Sequence, residues 1–207
     1  MGNLYSVSNT FRFLGIKADI IDKPTGLKSY DKLILPGVGA FGDAMKELRT
    51  RKFIRPIKDF VASGKPFLGI CLGMQLLLEK SEESKGVVGL GLIPGVVKKF
   101  SSKLKCPHMG WNKIQKTPRL DIFKGLRGPI FAYFCHSYYA VPRDRSVVIG
   151  KTEYGVSFAS MIKKGSVYGM QFHPEKSQET GLKILKNFIR LCWLFPQSIL
   201  WVVRLSG

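Results

Sequence analysis

Cys71 stands in the stretch PFLGICLGMQLLL (66–78), with one glycine two residues before it and another two residues after. Gly69-Ile70-Cys71-Leu72-Gly73 has the form G-x-C-x-G. It follows a short apolar run and opens a helical pattern, which is the context of a nucleophile elbow. The backbone is crowded at such a turn, so side chains at the two glycine positions would clash. The nucleophile is then lifted out at the C-terminal edge of a sheet. The helix N-terminus beneath it offers unpaired N–H groups and a positive dipole end, and both favour a thiolate. The N–H of Leu72 is expected where an oxyanion would form. A cysteine in an apolar run also serves as a small buried hydrophobe, and this motif by itself leaves both readings open.

A nucleophilic thiol needs a base. Gln171-Phe172-His173-Pro174-Glu175 lies far along the chain, after the apolar run SVYGMQF. Glu175 is close enough to receive the second imidazole N–H if the intervening proline holds the turn. Cys71, His173 and Glu175 then form nucleophile, base and orienter of the base. A single histidine after a strand is commonly structural. The carboxylate across a proline, together with an elbow cysteine, favours chemistry.

The elements that must position these groups follow from apolar periodicity. Leu4 to Leu14 reads as a helix, ADII (18–21) and KLILPG (32–37) as strands, and Phe41, Met45 and Leu48 as one helix face. Pro56 divides that region into a helix from about Asp43 to Arg51 and another from Arg55, where proline sits in the first turn. PFLGIC (66–71) is a buried strand and LGMQLLLEK (72–80) a helix. The second half is strand-rich: GVVKKF, WNKIQ, IFAYFCHSYYAV, SVVIGKTEY, VSFASMI and SVYGMQF, with Gly128, Gly150, Gly155 and Gly165 as turn signals. A last helix begins near Gln178, with Leu182, Leu185, Ile189 and Cys192 on one face and Ile184, Phe188 and Leu191 beside it. This is an α/β domain with a mixed sheet.

Bulk composition adds bounds. The chain has 207 residues, of which 45% are hydrophobic, enough for one core, and it carries a net charge of +19. Basic residues are spread along it, and the densest patch (Lys98, Lys99, Lys103, Lys105) has no alternating aromatics beyond Phe100, so a solvated surface is expected over a nucleic-acid groove. Cys71, Cys106, Cys135 and Cys192 show no C-x-x-C spacing and no secretory signal is evident, so a reducing, cytoplasmic setting is expected. His108, His136 and His173 lack metal-site spacing; no metal and no cofactor are expected. The apolar stretch LCWLFPQSILWVV is interrupted at Pro196-Gln197-Ser198 and is too short for a membrane span.

PGVGAF (36–41), GICLGMQLL (69–77), PHMGWN (107–112), HSYY (136–139) and QFHPEKS (171–177) together resemble class I, triad-type glutamine amidotransferases. Within them the chain is most similar to the glutaminase subunits of imidazole glycerol phosphate synthase, in histidine biosynthesis. The resemblance covers about residues 1–190. It implies a flavodoxin-like fold with a mixed, mostly parallel sheet, helices on both faces and antiparallel strands in the second half. It also implies roles. Cys71 attacks the glutamine amide carbon, His173 moves the proton, Glu175 orients His173, and water resolves the thioester to glutamate. Backbone N–H groups of Leu72 and of Gly37-Val38-Gly39 match the oxyanion hole. Gln75, Glu83, His136, Ser137 and Tyr138 match glutamine-binding positions, although Glu83 by itself also reads as a solvated helix-end acid. Met109, Trp111 and Asn112 fall near the partner interface and the ammonia exit. The implied partner, in a heterodimer, is a (β/α)8-barrel cyclase subunit, which receives the ammonia and holds the phosphorylated ligand. Gly-flanked Val38 suits a peptide that reorients when the partner is bound.

Two features depart from the family. Its members start with a short apolar strand before the Gly-Asn-Leu turn, whereas here the turn is Gly2-Asn3-Leu4. The domain is therefore expected over 1–192 without that strand, leaving a central slot. Residues 193–207 form an atypical apolar tail, expected to cover apolar surface or to have no role, because entering the slot needs a long crossing. The other readings are an amidotransferase subunit of a different synthase, a basic phosphate-polymer-binding protein, and a defective glutaminase whose motifs are intact but whose fold is compromised by the missing strand.

Overall fold

The computed structural model describes residues 2–16, 18–117, 120–191 and 200–203. Its elements are α1 (Gly2–Phe13), β1 (Ala18–Ile21), β2 (Lys32–Gly37), α2 (Phe41–Thr50), α3 (Ile54–Ala62), β3 (Phe67–Cys71), α4 (Leu72–Leu76) and β4 (Lys80–Ser81) in the first half. There follow β5 (Gly95–Lys99), β6 (His108–Lys116), β7 (Ile130–His136), β8 (Tyr138–Pro142), β9 (Val148–Glu153), β10 (Ser157–Lys164), β11 (Val167–Met170), α5 (Gln178–Arg190) and β12 (Leu200–Val203).

Strands run in the order β1-β12-β2-β3-β11-β10-β8-β5-β4, with β6 bridging β7 and β9. Pairing is parallel from β1 to β11 and antiparallel from β11 through β5. Two apolar layers cover the two faces. Phe41, Ala44, Met45 and Leu48 of α2 pack with Ile57 and Phe60 of α3 on one. Val7 and Phe11 of α1 pack with Ile184, Leu185 and Phe188 of α5 on the other. The spacings i, i+3, i+4 and i+7 put each set on one stripe of its helix.

The tail departs from expectation. Residues 200–203 neither lie over apolar surface nor stand apart: they form a strand in the central slot. Ala18 to Ile21 pair in parallel with Leu200 to Val203, and Leu200, Trp201 and Val202 pair with Lys32, Leu33 and Ile34. An empty slot would strand N–H and C=O groups on both β1 and β2, which is costly when buried. The crossing is within reach. Three strand spacings come to roughly 14 Å, and a chain of the nine residues that separate α5 from β12 can reach about 30 Å.

Three smaller differences have local causes. The helix after Cys71 ends at Leu76 rather than Lys80. Beyond it the chain is tied to the following loop: the carbonyls of Leu76, Leu77 and Leu78 accept from Leu90, Ile93 and Gly91 at 2.9, 3.0 and 3.2 Å, which takes the acceptors that a continuing helix would use. The run IFAYFCHSYYAV breaks at Ser137 into β7 and β8. Gly150 is no turn residue: it lies inside β9, where a Cβ would come within 3.1 Å of Met161 Cβ. Gly155 and Gly165, at φ +64° and +57°, do form the hairpin turns.

Candidate active site

Cys71 ends β3 and immediately precedes α4, with φ 54° and ψ −110°. A non-glycine residue at positive φ is strained, and here the sheet and helix on either side hold it. The flanking glycines are required by close backbone approach. A Cβ on Gly69 would sit 2.5 Å from the Gly73 carbonyl oxygen, and a Cβ on Gly73 would sit 1.7 Å from the Leu35 carbonyl oxygen. The elbow is thus pressed onto β2. Gly37, the last residue of β2, is in register with Cys71, which brings the Gly37-Val38-Gly39 segment beside the sulfur.

His173 arrives two residues after Gln171, where β11 has ended, and its backbone N–H donates to Tyr133 O of β7 at 2.9 Å. Pro174 to Lys176 form one turn of 3-10 helix that returns Glu175 beneath the ring. His173 Nδ1 meets Glu175 Oε1 at 2.9 Å, and the two side chains are 6% and 0% exposed. The other oxygen, Oε2, is buried with no partner, so the carboxylate is directed at the imidazole alone. Burial acts to lower the pKa of His173, but hydrogen bonds and charges from Cys71 and Glu175 outweigh it and raise it to about 10. At neutral pH the imidazole is therefore an imidazolium paired with sulfur on one side and carboxylate on the other.

A cavity of about 550 Å³ opens on the sulfur. Its walls include Cys71, Leu72, Gln75, Glu83, His136, Ser137, Tyr138 and His173, together with Val38 and Gly39. Residues far apart in sequence thus converge on one pocket, of a size for a small amino acid. Glu83 also pins the loop that carries Val38, because its Oε2 accepts from the first N–H of α2, Phe41, at 2.7 Å. Gln75 Nε2 donates to the Tyr138 carbonyl at 2.9 Å and to Gln171 Oε1 at 3.1 Å.

Two histidines that stand apart in sequence are joined in space. His108 Nδ1 and His136 Nε2 are 3.0 Å apart, because β6 and β7 pair with these two residues in register. His136 Nδ1 donates to the Tyr138 carbonyl at 2.8 Å, which leaves its Nε2 to accept from His108. Asn112 Nδ2 then donates to His108 Nε2 at 3.2 Å and to Glu153 O at 2.9 Å. Burial lowers His108 to about 4; burial first, then the charges of His108 and His173, lowers His136 to about 3. Both are neutral at physiological pH, so the chain of donors has one direction. Asn112 is therefore turned inward, whereas Met109 and Trp111 are 61% and 49% exposed beside Phe131 at 48%.

Three contributors have no role assigned by the motifs, although Gln171 and Ser177 lie at the two ends of QFHPEKS. Ser177 is fully buried; its Oγ accepts from Tyr133 N at 2.9 Å and donates to His173 O at 2.6 Å, locking the histidine turn to β7. Gly181 lies in α5, where a Cβ would come within 1.8 Å of the Pro174 carbonyl oxygen, so α5 is seated against that turn. A lone glycine inside an apolar helical pattern was the available signal. Gln171, also fully buried, places Nε2 at 3.7 Å from Cys71 Sγ.

The chain is similar to known proteins over most of its length. The family description "Glutamine amidotransferase class-I" matches residues 2–192. The chain is 52% identical over 195 residues to "Imidazole glycerol phosphate synthase subunit HisH" of Sulfurimonas denitrificans, covering 92% of this chain and 94% of that protein. It is 47% identical over 188 residues to the protein of the same name from Moorella thermoacetica, covering 91% and 90%. Among solved structures, a "glutamine amidotransferase" superposes with a TM-score of 0.73 at 20% identity, covering 92% of this chain and 94% of that one. PurLQS from Thermotoga maritima superposes with a TM-score of 0.72 at 21% identity, covering 90% and 91%.

Proposed function

This chain belongs to the class-I glutamine amidotransferase family, and from that premise we propose that it is the glutamine-hydrolysing subunit of imidazole glycerol phosphate synthase, with Cys71 as its nucleophile. The observation that carries the mechanism is the strained Cys71 elbow facing the His173–Glu175 pair across one cavity.

Cys71 sulfur attacks the side-chain amide carbon of glutamine, and charge builds on the amide oxygen. Backbone N–H groups of Leu72 and of the Gly37-Val38-Gly39 segment receive that charge. The C–N bond breaks as His173 gives its proton to the leaving nitrogen, releasing ammonia and a glutamyl thioester. Water then attacks the thioester, His173 takes a proton from it, and glutamate leaves with the thiolate regenerated. Glu175 keeps the ring in the tautomer and orientation that both transfers use. Gln75, Glu83, His136, Ser137 and Tyr138 hold the amino-acid end of the substrate.

Ammonia passes to a (β/α)8-barrel cyclase subunit in a cytoplasmic heterodimer. The support for a docking face is the exposed row of Met109, Trp111 and Phe131 on paired β6 and β7, close to the cavity wall at Pro107 and Lys176. Free Cys71, Cys106 and Cys135 suit a reducing compartment. The relatives' names favour this synthase over another, and a basic polymer-binding role would leave the triad unused. Val38, 39% exposed and followed by Gly39 at φ +96°, is the peptide whose N–H turns into the site when the partner docks.

Co-expression with a cyclase barrel tests the reading. Cys71→Ala abolishes glutamine-dependent product and leaves ammonia-dependent synthesis by the cyclase intact; loss of both would make Cys71 structural. Equal glutaminase rates with and without the partner would remove the gating by Val38.

A further inference from the structure

Gln171 sits in the histidine motif yet has no part in the triad. Its side chain is fully buried, and its backbone N–H is tied to Ser160 O at 2.9 Å, so the residue is fixed at both ends. The side-chain amide lies between Gln75 and Cys71: Oε1 accepts from Gln75 Nε2 at 3.1 Å, and Nε2 stands 3.7 Å from Cys71 Sγ.

Which end of that amide faces sulfur is settled by a group that cannot flip. The Tyr138 carbonyl only accepts, and it already takes the Nδ1–H of His136 at 2.8 Å. Gln75 must turn its NH2 toward it, at 2.9 Å. The second hydrogen of that NH2 then points at Gln171, which must answer with oxygen. Only the NH2 of Gln171 remains for the sulfur. The amide is a donor held in place by two successive hydrogen bonds that end on backbone.

We propose that Gln171 is a further catalytic residue: its Nε2–H donates to the Cys71 sulfur, holding the thiolate in the attacking position beside His173, with its orientation set by Gln75 and the Tyr138 carbonyl. The inference rests on Cys71 being the nucleophile. The imidazolium of His173 neutralises the sulfur from one side, but it must leave that role when it gives its proton to ammonia. Gln171 is neutral and loses no proton, so it stays with the sulfur through both halves of the reaction. Donation to a thiolate has two opposite effects. It increases the thiolate fraction at a given pH, and it lowers the intrinsic nucleophilicity of each thiolate. Removing the donor therefore has a signature that loss of packing lacks.

The measurement is the pH dependence of Cys71 alkylation by iodoacetamide in the full chain, followed on the Cys71 peptide by mass spectrometry so that Cys106 and Cys135 do not interfere. Gln171→Met keeps the length and removes the donor. The rise in rate moves to higher pH by roughly one unit, a tenfold loss on the acid limb, while the alkaline plateau stays level or increases. Gln171→Glu keeps an acceptor for Gln75 and turns an oxygen toward sulfur; its shift is larger in the same direction, and it serves if the methionine variant does not fold. An unmoved profile with a lower plateau, in a variant with native circular dichroism, overturns the proposal. The nucleophile reading is checked separately in wild type: glutamine turnover with the partner bound that survives full alkylation of Cys71 would refute that reading, whatever the Gln171 profiles show.

Discussion

Substituting Gly73 by alanine separates placement of the proposed nucleophile, Cys71, from stability of the fold. The added Cβ would lie 1.7 Å from the Leu35 carbonyl oxygen, and real Cβ contacts essentially never fall below 3.0 Å, so α4 and β2 must part by at least 1.3 Å. The oxygen is backbone and a Cβ is fixed rigidly by the backbone that carries it, which leaves no rotamer to relieve the clash. Leu35 is paired with Gly69, and β2 runs two residues further to Gly37 beside Cys71, so the parting opens the gap between sulfur and the Gly37-Val38-Gly39 segment. Overpacking of this kind costs about 1–3 kcal/mol. Alanine regains about 1 kcal/mol of helix propensity over glycine, which leaves a net loss of roughly 0–2 kcal/mol. A misplacement of about 1 Å at a reacting group, by contrast, lowers turnover by about 100-fold. The assay is thermal unfolding alongside steady-state glutamine hydrolysis with the cyclase partner bound. Gly64→Ala is the control: its φ of +80° carries backbone strain, but nothing lies within 4 Å and it precedes β3 at the end opposite Cys71, so it lowers stability slightly and leaves kcat/KM unchanged. Wild-type kcat/KM in Gly73→Ala would refute the claim that close backbone approach positions Cys71.

Glu175→Gln keeps the size of the side chain at 2.9 Å from His173 Nδ1 but removes its charge, so kcat falls by about 100- to 10,000-fold with little change in KM. Acidification weakens the fold through the buried histidine pair. His136 and His108, lowered to about 3 and 4, stay neutral in the folded state while their unfolded counterparts bind protons below 6.5. Their contribution is full above pH 6.5 and falls by up to about 1.4 kcal/mol per pH unit for each as pH drops toward 4, measurable by urea unfolding. His173 has the opposite sign: raised to about 10, it contributes fully below 6.5 and loses its contribution as pH rises through 10. Deleting residues 199–207 removes β12 and strands the facing edges of β1 and β2, so the melting temperature drops by well over 10 °C; an unchanged melting curve would exclude β12 from the slot. Trp111→Ala, at an exposed aromatic against Tyr133, weakens cyclase binding by roughly 10-fold or more and leaves the melting temperature alone, as titration calorimetry and thermal unfolding would read.

Much of the site is legible in sequence where the chemistry is local. Gly69, Cys71 and Gly73 span five residues, and the elbow they form needs nothing beyond a strand before it and a helix after it. His173 and Glu175 are held together by the proline between them, across one turn. The helices α1, α2, α3 and α5 follow from apolar stripes, since the period of a helix is written in its own residues. The helix after Cys71 stops short of its sequence pattern because the carbonyls of Leu76, Leu77 and Leu78 are taken by N–H groups of the segment 90–93, which no local pattern announces.

Sequence by itself determined the candidate groups and their immediate turns, because covalent spacing, glycine freedom and proline restraint act within a few residues. Only the tertiary structure decided the partners. Parallel pairing of β3 with both β2 and β11 brings Cys71 beside Gly37 and close to His173. Register between β6 and β7 makes a hydrogen-bonded pair of His108 and His136, and the Tyr138 carbonyl turns Gln75 and then Gln171 toward the sulfur. β12 takes the slot between β1 and β2 for the same reason. Unpaired backbone in a sheet must be satisfied by whichever strand can reach it, and that demand arises only once the other strands are in place.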